Sequence, residues 1–397
     1  MKPSLRFKEF SDDWQFPPLK EIAVKVSEKN RNFLNKNVLT NSAINGVMKQ
    51  NDYFDREIVN QNNLSGYYIV KTDDFVYNPR ISSTAPVGPV KRNFMEEGVM
   101  SPLYTVFRFT NGNLDYLEQF FKTSLWHKYL IDIANVGARH DRMAISVSGF
   151  LNMPISLPSE AEQLKISNFL KLVDEKIAQL TKKHELLIQY KKGVMQKLFN
   201  LDVRFKNADG KDFPPWESMT LGDVTELKSK RNKDLAELEV YSVTNSDGFV
   251  LQSDQFEGRR IAGEDLKGYK IINRGEFAYN PARINVGSIA LFQHESGIVS
   301  SLYVCFKCKG NLLNTFLYYF LELDKTKQDI SNAGEGGVRI YVWYPLFSKI
   351  DINLPCIEEQ AKIVSFLSVI DEKISNAQKQ LALTTQYKEG LLQQIFA

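Results

Sequence analysis

The sequence has very little cysteine, with three residues of this type in 397. Three cysteines cannot form the disulfide framework that staples small secreted domains. Cys305 and Cys308 have the spacing of half a zinc site, but no second pair and no cluster of histidines accompanies them. Because the segment around them, Leu302–Phe306, reads as a half-buried strand, we expect both cysteines to be structural and the chain to bind no metal.

Long apolar runs are also missing. The first residues, Met1–Ser4, contain no apolar signal core, and no stretch approaches the roughly 18 apolar residues that cross a bilayer. We therefore expect a soluble, cytoplasmic protein with no membrane partner. The formal net charge is only +3, so a nucleic acid would have to bind local basic patches and not a global cationic field. This charge fits equally well a protein with no such partner.

The common signatures of catalysis are absent as well. There is no G-x-x-x-x-G-K-[ST] phosphate loop and no glycine-rich dinucleotide fingerprint. The four histidines, at positions 127, 140, 184 and 294, form no Ser/His/Asp arrangement and show no metal-ligand spacing. Tyr77–Arg80 resembles the Asn-Pro-Pro-aromatic motif of adenine methyltransferases only in part, because the second proline and the aromatic residue are missing. We therefore expect that the chain is not an enzyme and holds no cofactor.

What the sequence does contain is a long internal repeat. Asp174–Ile177 recurs 197 residues later as Asp371–Ile374, and Leu-Pro, Glu-Gln and Gln-Tyr-Lys segments around it recur at the same offset. Upstream the offset drifts but the order holds, as for Tyr77–Pro79 and Tyr279–Pro281. A chain of this length already predicts two or more domains. The repeated segments show that the sequence is a tandem duplication. Its unit of about 200 residues is too long for a solenoid repeat.

The last part of each unit predicts one long helix. Apolar residues, with a few polar ones, follow each other at alternating steps of four and three, in the same register in both copies. This spacing is typical of a coiled-coil seam. The seam positions are Ile166, Leu170, Val173, Ile177, Leu180, His184, Leu187, Lys191, Val194 and Leu198, and then Ile363, Leu367, Ile370, Ile374, Ala377, Leu381, Thr384, Lys388, Leu391 and Ile395.

The first helix has a clear start signal. Pro158 ends the preceding segment, and Ser159 with Glu162 predicts a capping box. In the second copy Cys356 takes the cap position and only Glu359 is retained.

Forty helical residues make a rod of roughly 60 Å. We expect the two rods of one chain to pair antiparallel, and the alternative is parallel pairing with a second molecule. The polar seam residues His184, Lys191, Thr384 and Lys388 would then fix register or orientation.

The divergent first parts predict an α+β domain in each half. Short strands are indicated at Leu103–Phe109 and Ile289–Phe292, and aromatic-rich helices at Leu114–Leu130 and Leu312–Leu323. The predicted organisation is a head over residues 1–158, a spacer helix over 159–199, a second head over 200–355 and a second spacer helix over 356–397. The fold class is therefore α+β, with two heads separated by an antiparallel coiled coil, in a pseudo-twofold arrangement.

Polar and basic loops that recur in both heads are the candidate contacts to DNA, because such side chains read base edges and phosphates. Lys91, Arg92, Arg259 and Arg260 are clustered charges and are expected at phosphates. Each loop has an alternative explanation, since Asn-Pro is ordinary turn chemistry and surface arginines are common. The remaining candidates are Thr40, Asn41, Ser42, Asn78, Arg80, Arg139 and Arg142 in the first head, and Thr244, Asn245, Ser246, Asn280, Arg283 and Arg339 in the second.

Two variable parts, each followed by a matched helix with Leu-Pro, Glu-Gln, Phe-Leu and Asp-Glu-Lys-Ile segments, resemble the specificity subunit of type I restriction–modification systems. These segments are Leu157–Pro158, Glu162–Gln163, Phe169–Leu170 and Asp174–Ile177, and then Leu354–Pro355, Glu359–Gln360, Phe366–Leu367 and Asp371–Ile374.

The resemblance covers essentially the whole chain. It implies that the heads are target recognition domains, each reading one half of a bipartite double-stranded DNA site. It also implies that the helices dock two methyltransferase subunits, which use S-adenosylmethionine, and that restriction subunits can add ATP- and Mg-dependent translocation and cleavage. The chain itself would be a non-catalytic subunit that takes part in host defence.

Two other functional classes stay open from the residues alone. The coiled coil could join two heads that bind a ligand other than DNA, such as a peptide or a glycan. A self-sufficient nuclease is the third class, but the sequence offers no residue to nominate as its catalytic acid.

Overall fold

The computed structural model describes residues 3–31, 33, 35–53, 61–134, 141–245, 247–255, 266–335 and 340–396. The chain forms two compact units, one made of Met1–Thr181 with Lys379–Ala397 and the other of Lys182–Gln378. Each unit therefore contains one head together with half of each long helix. Within the described ranges no helix is long and apolar enough to cross a membrane.

In the first head, short strands and helices precede a long helix. The elements are α1 (Leu19–Ile22), β1 (Ala23–Lys25), β2 (Leu39–Ser42), β3 (Gly46–Lys49), α2 (Gln50–Tyr53), β4 (Tyr68–Val70), β5 (Phe75–Tyr77), β6 (Val90–Arg92), β7 (Gly98–Met100), β8 (Thr105–Phe109), α3 (Leu114–Phe121), α4 (His127–Ile133), α5 (Val147–Leu151) and the long α6 (Glu160–Phe199). A four-stranded antiparallel sheet has the order β1-β8-β5-β6, and the pairs β2-β3 and β4-β7 lie beside it. A parallel bridge between Val38 and Val99 joins those two pairs.

The second head has a similar series of elements. They are β9 (Glu217–Thr220), α7 (Leu221–Val224), β10 (Thr225–Lys228), β11 (Val240–Val243), β12 (Phe249–Leu251), α8 (Gln252–Gln255), β13 (Lys270–Asn273), β14 (Glu276–Tyr279), β15 (Ile289–Leu291), β16 (Ser296–Val299), β17 (Val304–Cys308), α9 (Asn314–Glu322), α10 (Asp324–Asn332), α11 (Tyr344–Phe347), β18 (Asp351–Leu354) and the long α12 (Ile357–Phe396). The sheets are ordered β10-β17-β14-β15 and β12-β11-β16-β13, with a separate pair β18-β9, and repeat the topology of the first head. The two heads thus share an α+β fold, as the duplication predicts.

Aromatic side chains form much of the core in each head. In the first head Phe75 and Phe107 from neighbouring strands pack against Phe121 of α3. In the second, Phe277 and Phe306 stack with their ring planes 7° apart. Burying rings of this size dominates the stability of a small core.

The predicted seams are the shielded sides of both long helices. All twenty seam positions are buried or half-buried, while most positions between them are exposed. In the first unit Ile166 and Leu170 of α6 share one core with Leu391 and Ile395 of α12. In the second unit Met195 and Leu198 of α6 share a core with the start of α12. The start of one helix therefore meets the end of the other in each unit, which confirms antiparallel pairing within the chain.

The capping box predicted at the start of α6 is only half formed. The Glu162 backbone N–H donates to Ser159 Oγ at 3.4 Å, but the Glu162 carboxylate accepts two bonds from the Arg6 guanidinium, at 2.8 and 2.7 Å. Arg204 binds Glu359 in the same way in the second copy. The Arg6 guanidinium therefore takes the Glu162 carboxylate away from the backbone N–H at the cap position. Hydrogen bonds between charged groups are stronger than those to a neutral donor.

The glutamine of each Glu-Gln segment ties the helix start to its head. Gln163 Oε1 accepts from the Asn113 backbone N–H at 2.8 Å, and Gln163 Nε2 donates to the Pro158 carbonyl. Gln360 repeats this with Leu313 and Pro355. The glutamine of the repeated Glu-Gln segment therefore joins the start of the long helix to its head in both units.

The helix predicted over Leu114–Leu130 is broken in two, which corrects that prediction. Thr123 Oγ1 donates to the Phe120 carbonyl at 2.7 Å and takes the acceptor that a further helical turn would use. The break turns Trp126 into the core, where its side chain is buried.

Candidate nucleic-acid interface

A cleft of about 270 Å³ in the first head brings together several of the predicted contact residues. Its wall combines arginines, amides, a hydroxyl and tyrosines, a mixture that suits base edges and phosphates. The predicted residues that line it are Thr40, Asn41, Asn78, Arg80 and Arg142, and they are joined there by Gln50, Tyr53, Tyr67, Leu103 and Tyr104.

The Asn78–Arg80 turn is held rigidly at the edge of this cleft. Asn78 Oδ1 accepts from the Arg80 backbone N–H at 3.0 Å, and Asn78 Nδ2 donates to the Asn41 carbonyl at 3.0 Å. Gly88 has φ +83°, and a Cβ there would lie 2.0 Å from the Asn78 carbonyl oxygen. Only glycine permits this approach, so the turn presents the exposed Arg80 side chain from a fixed backbone.

A second loop is bound to that turn. The Met143 backbone N–H donates to the Pro79 carbonyl at 2.9 Å, and the Ile81 N–H donates to the Asp141 carbonyl at 3.0 Å. This pairing brings Arg142 to the same cleft as Arg80, although 62 positions separate them in the sequence.

The second head repeats the arrangement. Asn280 Oδ1 accepts from the Ala282 backbone N–H at 3.0 Å, and the Val342 N–H donates to the Pro281 carbonyl at 2.9 Å. The exposed side chain is here Arg283. The Asn-Pro turn is common to both heads, but its arginine stands one residue further along the chain in the second head, after Ala282.

The Thr40–Ser42 segment, a candidate for base contacts, is shielded from solvent, although Thr40 and Asn41 border the cleft. All three residues are buried on β2. Asn41 Nδ2 donates to the Val76 and Pro89 carbonyls, at 2.8 and 3.3 Å, so this amide serves the fold. Of the matching segment, Thr244 bonds within its own turn and Asn245 is exposed.

Lys91 and Arg92 were predicted to contact phosphates, and this role stays a prediction. The Arg92 guanidinium bonds Asp73 at 2.7 Å and Asp115 at 2.6 Å. Burial, helped by the nearby Lys122 ammonium, lowers the pKa of Lys91, which is half-buried. The two carboxylates compete with a phosphate for the Arg92 guanidinium. Arg139, Ser246, Arg259, Arg260 and Arg339 lie outside the described residues.

Solved structures share this fold over almost the whole chain. The S subunit of a type I restriction–modification system from M. genitalium matches with a TM-score of 0.57 and 14% identity, covering 100% of this chain and 99% of the other. The HsdS subunit from Thermoanaerobacter tengcongensis matches with a TM-score of 0.52 and 13% identity, covering 98% of both. At such identities the similarity concerns the fold alone.

Sequence comparison finds similar proteins over most of the chain. A family model described as the type I restriction modification DNA specificity domain matches residues 214–385. The type I restriction enzyme MjaVIII specificity subunit of Methanocaldococcus jannaschii is 26% identical over 314 residues, which are 75% of this chain and 73% of the relative. The MjaIX specificity subunit of the same organism is 25% identical over 303 residues, 70% and 67% of the two chains. The chain is thus similar to the specificity subunits of type I restriction enzymes.

A specificity subunit is the non-catalytic component of its enzyme, and catalysis lies on partner subunits. Within the described residues, no group of three His, Cys, Asp or Glu side chains is placed to hold a metal ion. Cys305 and Cys308 lie on β17 and pack into two different apolar clusters. Burial raises the pKa of each thiol to about 12, so neither is poised to act as a thiolate.

The sequence analysis did not single out two leucines that are exposed on the surface. Leu103 is 61% exposed and Leu302 is 69% exposed. Each sits in a tight turn whose serine, Ser101 or Ser300, accepts a bond from the leucine backbone N–H at 3.4 Å. The duplicated Ser-x-Leu-Tyr segment was visible in the sequence as part of the repeat, and this was the signal that could have found them.

The tyrosine that follows each leucine locks the turn to the strand behind it. Tyr104 OH lies 3.0 Å from Thr40 Oγ1, and Tyr303 OH accepts from the Val243 backbone N–H at 3.3 Å. Leu103 therefore projects beside the cleft from a fixed turn, and Leu302 projects from the equivalent turn of the second head.

Proposed function

We propose that this chain is a specificity subunit that reads an asymmetric, bipartite site on double-stranded DNA, with one half-site for each head. The observation that carries the proposal is that the two heads share the same Asn-Pro turn and the loop bonded to it but place their side chains differently. Arg80 stands two residues after Asn78, whereas Ala282 takes this place after Asn280 and Arg283 follows one residue later. Two turns of the same shape with differently placed side chains suit two half-sites of different sequence.

The chemistry of these side chains fits base readout. An arginine can donate two parallel bonds to guanine O6 and N7, and an apolar side chain can contact a thymine methyl group. Because the turns are fixed by Gly88 and by Tyr104, the side chains meet DNA with little loss of backbone freedom.

In the same proposal the long helices space the heads and dock two methyltransferase subunits. Half-sites about 34 Å apart, one turn of the duplex, would place both on the same face of the DNA. A duplicated scaffold suits two copies of one partner. The methyltransferase subunits would bring S-adenosylmethionine, and restriction subunits, where present, would bring ATP- and Mg-dependent translocation. A cytoplasmic location belongs to this proposal, since the chain must share a compartment with the DNA that it reads.

Genome-wide mapping of methylated adenine, with and without the gene for this chain, tests the proposal. We expect a bipartite motif that disappears with the gene and returns with the wild-type chain. Binding of the assembled complex to a duplex with that motif should weaken steeply as salt rises, because phosphate contacts release counterions. Unchanged methylation, together with salt-independent binding, would instead favour a scaffold whose heads bind another ligand.

A further inference from the structure

Each head carries a short loop in which two basic residues and an asparagine precede an exposed apolar residue. The first head has Lys29–Phe33 at this place, and the second has Arg231–Leu235. Phe33 is 42% exposed and Leu235 is 49% exposed. The apolar clusters of the described residues include neither side chain. The cores of the heads therefore do not use these two residues.

The backbone at both apolar residues is strained. Phe33 has φ +53° and Leu235 has φ +51°, in the left-handed region that bulky side chains rarely adopt. Glycine would adopt this conformation without the steric cost. Strained residues of this kind persist only where the surrounding structure imposes them, and they cluster at functional sites. A bulky residue that is strained and unpacked in both copies indicates a role outside the fold.

A buried asparagine holds each loop in this shape. The Asn30 side chain donates to the Asn35 carbonyl at 2.7 Å and accepts from the Asn35 backbone N–H at 3.2 Å. Asn232 makes the same two bonds to Ala236, at 3.2 and 3.0 Å. Both loops therefore present their apolar residue from a fixed backbone.

Each loop lies beside a tyrosine that precedes a strand. The Asn30 backbone N–H donates to the Tyr67 carbonyl at 3.0 Å, and the Asn232 N–H donates to the Tyr269 carbonyl at 2.9 Å. Tyr67 also lines the cleft that contains Arg80. The loop of the first head therefore adjoins the candidate DNA contacts of that head.

The basic residues of the two loops are available to phosphates. In the described part of the chain no carboxylate forms an ion pair with them, in contrast to Arg92. Phosphate contacts give affinity that does not depend on sequence. The four exposed residues are Lys29, Arg31, Arg231 and Lys233.

We propose that Phe33 and Leu235 are wedges that insert between neighbouring base pairs, one at each half-site, while the basic residues of each loop bind the adjoining phosphates. This inference rests on the proposed function and adds a contact that is the same in both heads. The two half-sites differ in sequence but share the form of the duplex. A loop with the same chemistry in both heads therefore suits the shape and deformability of DNA and not its sequence.

The residue types and the fixed backbone both fit this role. Phenylalanine and leucine are among the apolar side chains with which proteins unstack a base step. A loop that is already held in its bound shape loses little conformational freedom on binding. The asparagine bonds thus prepare each wedge before DNA arrives.

The test uses the full chain assembled with its methyltransferase subunit, at saturating concentration, on a duplex with the motif that methylation mapping returns. 2-Aminopurine is placed in turn at each base step of the motif, and its fluorescence rises where the base is unstacked. We expect the wild-type complex to unstack one step at each half-site. Phe33→Ser should abolish the signal at one half-site and Leu235→Ser at the other. Each should also lower affinity about tenfold, with the methylated motif unchanged.

Three further measurements separate a wedge from a structural role. Phe33→Leu should retain the signal, because leucine has this place in the second head. Phe33→Gly relieves the strain and should keep or raise the melting temperature while it loses the signal. The signal of the methylated adenine, which a methyltransferase flips out of the duplex, should remain in all variants.

The matched control is Leu125→Ser, which removes an apolar side chain of the same 42% exposure from the segment between α3 and α4. It should bind and unstack DNA as wild type does. Unchanged unstacking in Phe33→Ser and Leu235→Ser, or an equal loss in the control, overturns the inference. So does a wild-type complex that binds the duplex but unstacks only the methylated adenines. A changed motif would make the loops readers of sequence and overturn it as well. A wild-type complex that does not bind the duplex refutes the proposed function instead.

Discussion

The Lys388 ammonium lies 2.5 Å from a carboxylate oxygen of Asp174. The same relationship recurs in the second unit, where Lys191 lies 2.8 Å from Asp371. Both lysines occupy seam positions, and both aspartates begin an Asp-Glu-Lys-Ile segment. An antiparallel pair brings the lysine near the end of one helix to the aspartate near the start of the other, so the duplicated ion pair fixes the register of each half.

Removing one ion pair should destabilise the unit that contains it. Lys388→Met leaves a carboxylate in the seam and is expected to lower the free energy of unfolding by about 1–2 kcal/mol. Urea unfolding followed by circular dichroism measures this. Exchanging the charges, with Asp174→Lys and Lys388→Asp, should restore much of the loss. If the exchanged variant is as unstable as the sum of its single changes, the pair does not fix register.

The first of these pairs should also make stability depend on pH in the acid range. Burial acts to raise the pKa of Asp174, but the hydrogen bond and charge of Lys388 outweigh it, so the pKa of this carboxyl is lowered. A carboxyl with a lowered pKa in the folded state stabilises the fold above its ordinary pKa near 4, and this contribution is lost as pH falls through the folded value. Wild type should therefore lose more stability than Asp174→Asn between about pH 5 and pH 2. Parallel acid unfolding curves for the two proteins would contradict this.

In the second unit the dependence of stability on pH has the opposite sign, because the group with the shifted pKa is a lysine. Burial acts to lower the pKa of Lys191, but its bonds to Asp371 and Glu322 outweigh burial and raise it. The stabilisation is complete below the ordinary lysine pKa and is lost only as pH rises above it. Lys191→Met should therefore differ from wild type in stability at neutral pH and approach it in strong alkali.

Gly88→Ala should disrupt the first head without affecting the long helices. It places a Cβ against the Asn78 carbonyl oxygen and also forces a positive φ on alanine, with an expected cost of at least about 3 kcal/mol. Gly46→Ala is the matched control, because it has φ +73° but open space at the Cβ and should cost about 1 kcal/mol. Thermal unfolding compares the two. Equal costs would show that the close approach at Asn78 does not matter.

Two arginines of the first head should behave in opposite ways. Arg80→Gln removes an exposed side chain at the cleft and is expected to lower DNA affinity of the assembled complex by about 1–3 kcal/mol, with stability unchanged. Arg92→Gln breaks bonds to Asp73 and Asp115 and is expected to lower stability, with little direct effect on base readout. Fluorescence anisotropy with a cognate duplex and urea unfolding separate these outcomes. A normal DNA affinity for Arg80→Gln would remove this arginine from the interface.

Local periodicity was enough to predict the long helices. Their bounds, Glu160–Phe199 and Ile357–Phe396, lie within one residue of the predicted spans at all four ends, because a seam repeated over ten positions is a strong signal. The capping box failed because Arg6, 156 positions away, takes the Glu162 carboxylate. No local pattern contains that competitor.

The candidate contacts were harder to predict because a polar residue in a repeated loop can serve either the fold or a ligand. Asn41 and Asn78 have the same chemistry, yet Asn41 is buried and Asn78 supports an exposed turn. Leu103 was missed for the converse reason, since an apolar residue in a strand-like segment predicts burial and not a projecting turn. The repeat shows which segments are retained, but only tertiary contacts show which way each side chain points.

Exchange of one head is the most direct test of one half-site for each head. Residues 200–355 would be replaced by the matching segment of a relative that has a different motif, and methylated adenine would be mapped genome-wide. We expect the half-site read by the second head to change, while the other half-site and the distance between the halves stay the same. A change in both half-sites, or in neither, would refute the assignment of one half-site to each head.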